Sequence, residues 1–179
     1  MEHKIRKTES KIYKQGFSLL ELLIYVAILS GLMVVIANAF ISLSKGRGQS
    51  EARSEVNAAI RFANERLKQD LKNATSLTTP ILGTASSTLE VVVPGFTIKY
   101  DTLAGQLRRT EGTGLATTTT TVTGPGIFVD TPTFTRFENY SSVLQATTTA
   151  VKISTVFHYN ASSTDWVYQS ALQTTISLR

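Results

Sequence analysis

The chain has 179 residues, a formal net charge of +5 and no cysteine. This length allows one modest domain beside an anchoring segment. Without cysteine the chain can form neither a disulfide nor a thiolate zinc site. Five basic and two acidic residues precede Gly16, so the rest of the chain keeps a net charge of only +2. That remainder has no basic stripe with interleaved aromatic residues, which argues against nucleic-acid binding.

A long apolar run follows the basic start of the chain. It extends from Phe17 to Leu43 and contains one charged residue, Glu21. As a helix it would be roughly 40 Å long, enough to cross a bilayer with some tilt. More basic residues precede the run than follow it, which favours a cytoplasmic N-terminus and an exported C-terminal part.

Glu21 is the candidate functional residue of this run. A carboxylate in hydrocarbon is costly, so ionisable residues within membrane segments are functional candidates by default. Cleavage between Gly16 and Phe17 would create an α-amino group one helical turn before Glu21. An ammonium and a carboxylate could then neutralise each other, within one chain or between neighbouring chains.

The segment KQGFSLLELL, which begins at Lys14, resembles the processing site of type IV prepilins and of type II secretion pseudopilins. In that family a basic leader ends in Gly, an aromatic residue or Met follows the cut, and Glu stands four residues further on. The resemblance implies cleavage at Gly16–Phe17 by prepilin peptidase, N-methylation of Phe17, and a role for Glu21 in assembly register. It covers about the first third of the chain.

The resemblance also implies partners and a location. The expected partners are other pilin or pseudopilin subunits, prepilin peptidase, an inner-membrane assembly platform and membrane lipid. No small-molecule substrate, cofactor or metal is expected, and no enzymatic activity, because the ATPases and the peptidase of such systems are separate proteins. The expected location is the inner membrane, with the head exported, and then a pilus or pseudopilus at the cell surface.

The kind of subunit is indicated by the apolar run and by the head. The second half of the apolar run lacks the proline that common major pilins usually carry there. In the head, the strand Leu107-Arg108-Arg109 after a turn and the final strand LQTTISLR both resemble a minor pilin or a J-type minor pseudopilin. Whether the machine is a pilus, a type II secretion system or a competence apparatus stays open.

Three alternatives compete with this interpretation. The chain could be a plain signal-anchored exported domain, or a secreted protein cut after Ala37-Asn38-Ala39 and before Phe40. It could also be a binding module at a filament tip, either an adhesin or a DNA-uptake pilin. The threonine-rich segment and Trp166 fit such a receptor, whereas the net charge of +2 does not favour DNA.

After Leu43 the apolar residues become periodic. Their steps of three and four predict an amphipathic helix that ends near Asn73, before Pro80. Its buried stripe is predicted at Val56, Ile60, Ala63, Leu67 and Leu71. Arg66 and Asp70, which lie four residues apart, are predicted to form an ion pair along this helix. The two glycines of Ser44–Gly48 predict a kink or local melting of the helix.

Beyond Pro80 the periodicity changes to two, which predicts antiparallel strands. The candidates are Leu89–Val93, Phe96–Tyr100, Leu107–Thr110, Ile127–Asp130, Phe134–Glu138, Val151–Tyr159 and Leu172–Leu178. The first two would form a hairpin through a type II turn at Pro94-Gly95. The predicted fold is α+β, with one long N-terminal helix packed on an antiparallel head. The predicted parts are a leader at 1–16, an apolar helix at 17–43, an amphipathic helix at 44–76 and a β head at 77–179.

The head offers few chemical groups. Thr117–Thr121 is predicted to be an exposed loop, and His158 is predicted to face solvent. Asp130, Glu138 and Asp165 do not follow a calcium-loop pattern. Trp166 and Tyr168 could form a recognition patch, although strand residues that face the core are the simpler interpretation.

Overall fold

The computed structural model describes residues 18–114, 116–143, 145–160 and 166–178. The predicted leader 1–16, Gly16 and Phe17 therefore lie outside the described residues. The chain divides into two units, Met1–Leu43 and Ser44–Arg179. One helix, α1, spans Leu19–Asn73 and contributes to both.

The helix ends at Asn73, as predicted. It is helical without interruption through Ser44–Gly48, so the predicted local melting is wrong. In the second unit its buried stripe is Ala52, Val56, Ala63, Leu67 and Leu71, and Ile60 is partly buried. The predicted amphipathic pattern is therefore confirmed.

Ten strands follow the helix. They are β1 (Ser76–Thr79), β2 (Ala85–Ser86), β3 (Leu89–Val93), β4 (Phe96–Leu103), β5 (Gln106–Thr113), β6 (Ala116–Thr121), β7 (Ile127–Val129), β8 (Thr133–Ser141), β9 (Ala146–Tyr159) and β10 (Gln169–Ser177). Every predicted strand is present, mostly with longer bounds. The predicted loop at Thr117–Thr121 is wrong, because these residues form most of β6, although they are exposed as expected.

The strands form two antiparallel sheets instead of one. The first has the order β1-β3-β4-β5-β6. The second has the order β10-β9-β8-β2, with β7 also paired to β9. The β3–β4 connection has Gly95 at a φ of 96°, as the predicted type II turn requires.

The core of the second unit lies between the helix stripe and the inner faces of the sheets. Tyr100, Phe134 and Phe157 are its largest fully buried side chains. Leu67 and Leu71 of α1 belong to the same cluster of buried residues. The chain is therefore an α+β protein in which one long N-terminal helix packs on antiparallel sheets.

Candidate functional site: the apolar segment and the buried polar cluster

The apolar part of α1, from Leu19 to Leu43, forms a surface that the described residues do not cover. Its large hydrophobic side chains range from 50% exposed at Ile24 to 79% at Leu19. The helix is long and apolar enough to cross a membrane. So large an exposed apolar surface is unfavourable in water.

Two serines in this segment are satisfied by the helix itself. The Ser30 hydroxyl donates to the Val26 carbonyl at 2.7 Å, and the Ser42 hydroxyl donates to the Asn38 carbonyl at 2.9 Å. Such bonds to the preceding turn let hydroxyls enter an apolar environment at low cost. These two residues therefore add little polarity to the segment.

Glu21 differs from them because it carries charge. It lies in the first turn of α1, where the helix dipole favours a carboxylate. The Tyr25 hydroxyl donates to Glu21 Oε1 at 3.2 Å. Sequence reasoning missed Tyr25, although its spacing of four residues from the acid was a usable signal. The site seen here is thus a carboxylate at a helix start, held by a phenol one turn later.

The second unit contains a polar cluster that sequence reasoning also missed. Asp70 of α1 accepts hydrogen bonds from the Tyr100 hydroxyl at 2.5 Å and from Arg109 Nε at 2.6 Å. Arg109 Nη2 donates to the other Asp70 oxygen at 3.3 Å, and Arg109 Nη1 pairs with Glu111. The Asp70 and Arg109 side chains are only 7% and 6% exposed.

The predicted Arg66–Asp70 pair is confirmed, because Arg66 Nε lies 4.0 Å from Asp70 Oδ2. Arg109 is the closer partner of Asp70, at 2.6 Å. Burial and the hydrogen bond to Asp70 raise the pKa of Tyr100 well above its ordinary value. Burial alone would lower the pKa of Arg109, but the hydrogen bonds to Asp70 and Glu111 outweigh it and raise that pKa. The cluster therefore ties α1 to β4 and β5, with Tyr100 neutral and Arg109 charged at neutral pH.

The predicted recognition residues pack against the second half of α1. An added Cβ at Gly48 would overlap the Trp166 indole, so this glycine permits close approach. The Arg53 guanidinium lies 5.6 Å from the centre of the Tyr168 ring. Trp166 and Tyr168 thus contact α1. Their interpretation as strand residues is wrong, because both precede β10, which begins at Gln169.

His158 lies beside an acid. Its Nε2 is 3.0 Å from Asp130 Oδ2, and both side chains are partly exposed. Among the residues that the structure describes, no group of three or more His, Asp or Glu side chains is placed to hold a metal ion.

A groove of about 530 Å³ runs along the second half of α1. Apolar residues such as Phe62 and Ile127 line it, together with Glu55 and Tyr159. Burial, followed by the charges of Glu55 and Glu51, raises the pKa of Tyr159. The groove holds no nucleophile paired with a base among these lining residues.

Comparisons of the chain with family models, curated proteins and solved structures found no significant match. The class that the structure itself defines is an α+β protein with one helix able to cross a membrane.

Proposed function

We propose that the chain is a structural subunit of a type IV pilus-like filament, processed by prepilin peptidase and assembled through its N-terminal helix. The observation that carries the proposal is the combination of an uncovered apolar helix with one carboxylate near its start. Gly16, Phe17 and Glu21 stand where the prepilin pattern requires them.

The assembly chemistry follows from the charges. Glu21 leaves lipid and enters a bundle of helices, where it meets the Phe17 ammonium of an adjacent subunit. Two charges at about 4 Å attract much more strongly in low dielectric than in water, although desolvation opposes part of the gain. The pair sets axial register, while the exposed leucine, isoleucine and valine side chains supply most of the packing.

The head stays outside the membrane in this proposal. The basic leader holds the N-terminus in the cytoplasm, so the unit Ser44–Arg179 is exported. The missing proline in the second half of the apolar run favours a minor subunit that initiates the filament or occupies its tip.

Substitution of Glu21 tests the register role. Glu21→Ala and Glu21→Val are expected to insert in the membrane normally but to enter filaments poorly, because the Phe17 ammonium loses its partner. The measurement compares subunit content in membrane and sheared-filament fractions of the host. Ser30→Ala is the matched control, since the Ser30 hydroxyl bonds only its own helix among the described contacts. Normal incorporation of Glu21→Ala would exclude the register role.

The mature N-terminus tests the processing step separately. A chain from the host membrane that begins at N-methylated Phe17 supports the prepilin route. A chain that begins at Met1 or at Phe40 overturns it, in favour of a signal anchor or a secreted protein.

A further inference from the structure

Strand β6 is an outer strand of the first sheet and lacks the usual protection of sheet edges. It contains Ala116 and five threonines, all exposed, and it pairs with β5 over six consecutive residues without a bulge. Outer strands normally carry charged residues, proline or bulges, or are very short, which prevents pairing with another chain. The opposite outer strand, β1, has four residues and an irregular register between Leu77 and Thr79.

The hydrogen bonds between β5 and β6 show which backbone N–H and C=O groups of β6 lie on its free side, the side away from β5. The Val122 N–H donates to the Leu107 carbonyl at 2.8 Å, immediately after β6 in the same register. Along an antiparallel strand, every second residue bonds a given neighbouring strand with its N–H and C=O groups, and the residues between them direct these groups to the other side. Thr118 and Thr120 therefore bond β5, whereas the N–H and C=O groups of Thr117, Thr119 and Thr121 point away from β5. Within the described chain no strand pairs with that side.

The threonine side chains are also ordered by β5. Thr110 Oγ1 and Thr119 Oγ1 lie 2.9 Å apart across the two strands. Gly112 stands opposite Thr117, and an added Cβ there would overlap the backbone of Ala116 and Thr117. The glycine thus lets β6 lie close to β5.

We propose that the free side of β6 is a homotypic interaction surface, on which β6 of a second copy of this chain pairs antiparallel about Thr119. The segment Thr117–Thr121 reads the same in both directions, so Thr117 meets Thr121 of the second copy and Thr119 meets Thr119. Every cross-strand pair is then Thr–Thr, a favourable pairing, with no unpaired charge. The outer strand β10 is also uncharged, but pairing with itself would place unlike residues opposite each other.

This contact joins two heads about a two-fold axis, so it forms pairs and does not propagate. It is small, and confinement of anchored copies to one membrane or filament surface would raise their effective concentration. The proposal concerns the head alone and does not depend on the proposed filament role.

Cysteine cross-linking tests the pairing directly, because the chain has no cysteine of its own. Thr119 residues in a bonded antiparallel pair would have Cα atoms about 5.5 Å apart, within the range of a disulfide. The full-length Thr119→Cys chain in detergent micelles, mildly oxidised, should give a disulfide-linked dimer on a non-reducing gel. Thr148→Cys, at another exposed strand threonine, is the control and should stay monomeric. Equal dimer yields from both variants would overturn the proposal.

A charge exchange tests the register without cysteine. Like charges directly opposite each other disfavour pairing, whereas opposite charges favour it. Two differently tagged copies of the full-length chain should copurify when both are wild type. Copurification should be lost when both are Thr119→Lys or both are Thr119→Glu, and should return when one is Lys and the other Glu. Thr148→Lys should copurify like the wild type. Undiminished self-association of Thr119→Lys would exclude pairing about Thr119.

Discussion

Asp70, Tyr100 and Arg109 carry the strongest polar interactions of the second unit. All three are buried, and they connect α1 to two neighbouring strands of the first sheet. Removal of one member of a buried ion pair is costly, because the remaining charge loses its partner without regaining water.

We expect Asp70→Ala to lower the free energy of unfolding by about 3 kcal/mol, because Arg109 stays buried with Glu111 as its remaining acid. The measurement is urea unfolding followed by the fluorescence of Trp166, the single tryptophan. Asp101→Ala is the control, since Asp101 pairs with the more exposed Arg108 at 2.8 Å. That change should cost no more than about 1 kcal/mol. Equal losses in the two variants would contradict the burial argument.

Because of Tyr100, the free energy of unfolding should depend on pH in the alkaline range. Its pKa in the folded state is raised by burial and then by Asp70, so the folded state holds the phenol proton more tightly than the unfolded state. The resulting stability is complete below a pH of about 10, the ordinary tyrosine value, and is lost as pH rises further.

We therefore expect the urea midpoint of the wild type to fall between about pH 9 and about pH 11 more steeply than that of Tyr100→Phe. Tyr140→Phe, at a residue 63% exposed, should keep the wild-type slope. An unchanged slope in Tyr100→Phe would show that other groups, such as Tyr159, govern the alkaline response.

At the scale of elements, α1 combines two surfaces of different chemistry. From Leu19 to Leu43 its large apolar side chains are exposed, whereas from Ala52 to Leu71 a single stripe is buried against the sheets. Gly48 stands near the start of the packed part, under Trp166. A glycine that weakens the helix in isolation therefore makes room for a tertiary contact.

The two glycines of this region should respond differently to alanine. Gly48→Ala is expected to displace the Trp166 indole and shift its emission to longer wavelength, because the added Cβ overlaps the ring. Gly46→Ala has no neighbour within 4 Å, so it should leave the emission unchanged. It should also stabilise the helix by up to about 1 kcal/mol. Identical emission spectra for the two variants would contradict the packing of Trp166 on Gly48.

At the scale of the whole molecule, the two units differ in what stabilises them. The unit Ser44–Arg179 contains the whole cluster of buried hydrophobic residues, whereas the described residues before Ser44 bury none of theirs. We therefore expect the second unit to fold in water and the first to need an apolar environment.

A chain restricted to residues 44–179 should be a soluble, folded monomer at low concentration. We expect a cooperative urea transition and strand-rich circular dichroism without detergent, because its core is complete. The full-length chain, by comparison, should require detergent or lipid to stay in solution. A non-cooperative transition of the 44–179 chain would mean that the apolar segment contributes to folding of the head.

The sequence alone determined the elements that depend only on residues close to one another along the chain. The apolar run, the amphipathic period that ends at Asn73 and the hairpin at Pro94-Gly95 all follow from patterns a few residues long. The candidate residue Glu21 was also visible from sequence, because a lone acid in an apolar run is conspicuous.

Only the tertiary structure decided contacts between distant residues. Tyr100 and Arg109 lie 30 and 39 residues from Asp70, and no local pattern predicts that burial pairs them. Thr117–Thr121 has the polarity of a loop, but β5 supplies hydrogen bonds along one side and makes it a strand. The division of the strands into two sheets likewise depends on which edges meet in space, since strand periodicity specifies faces and not neighbours.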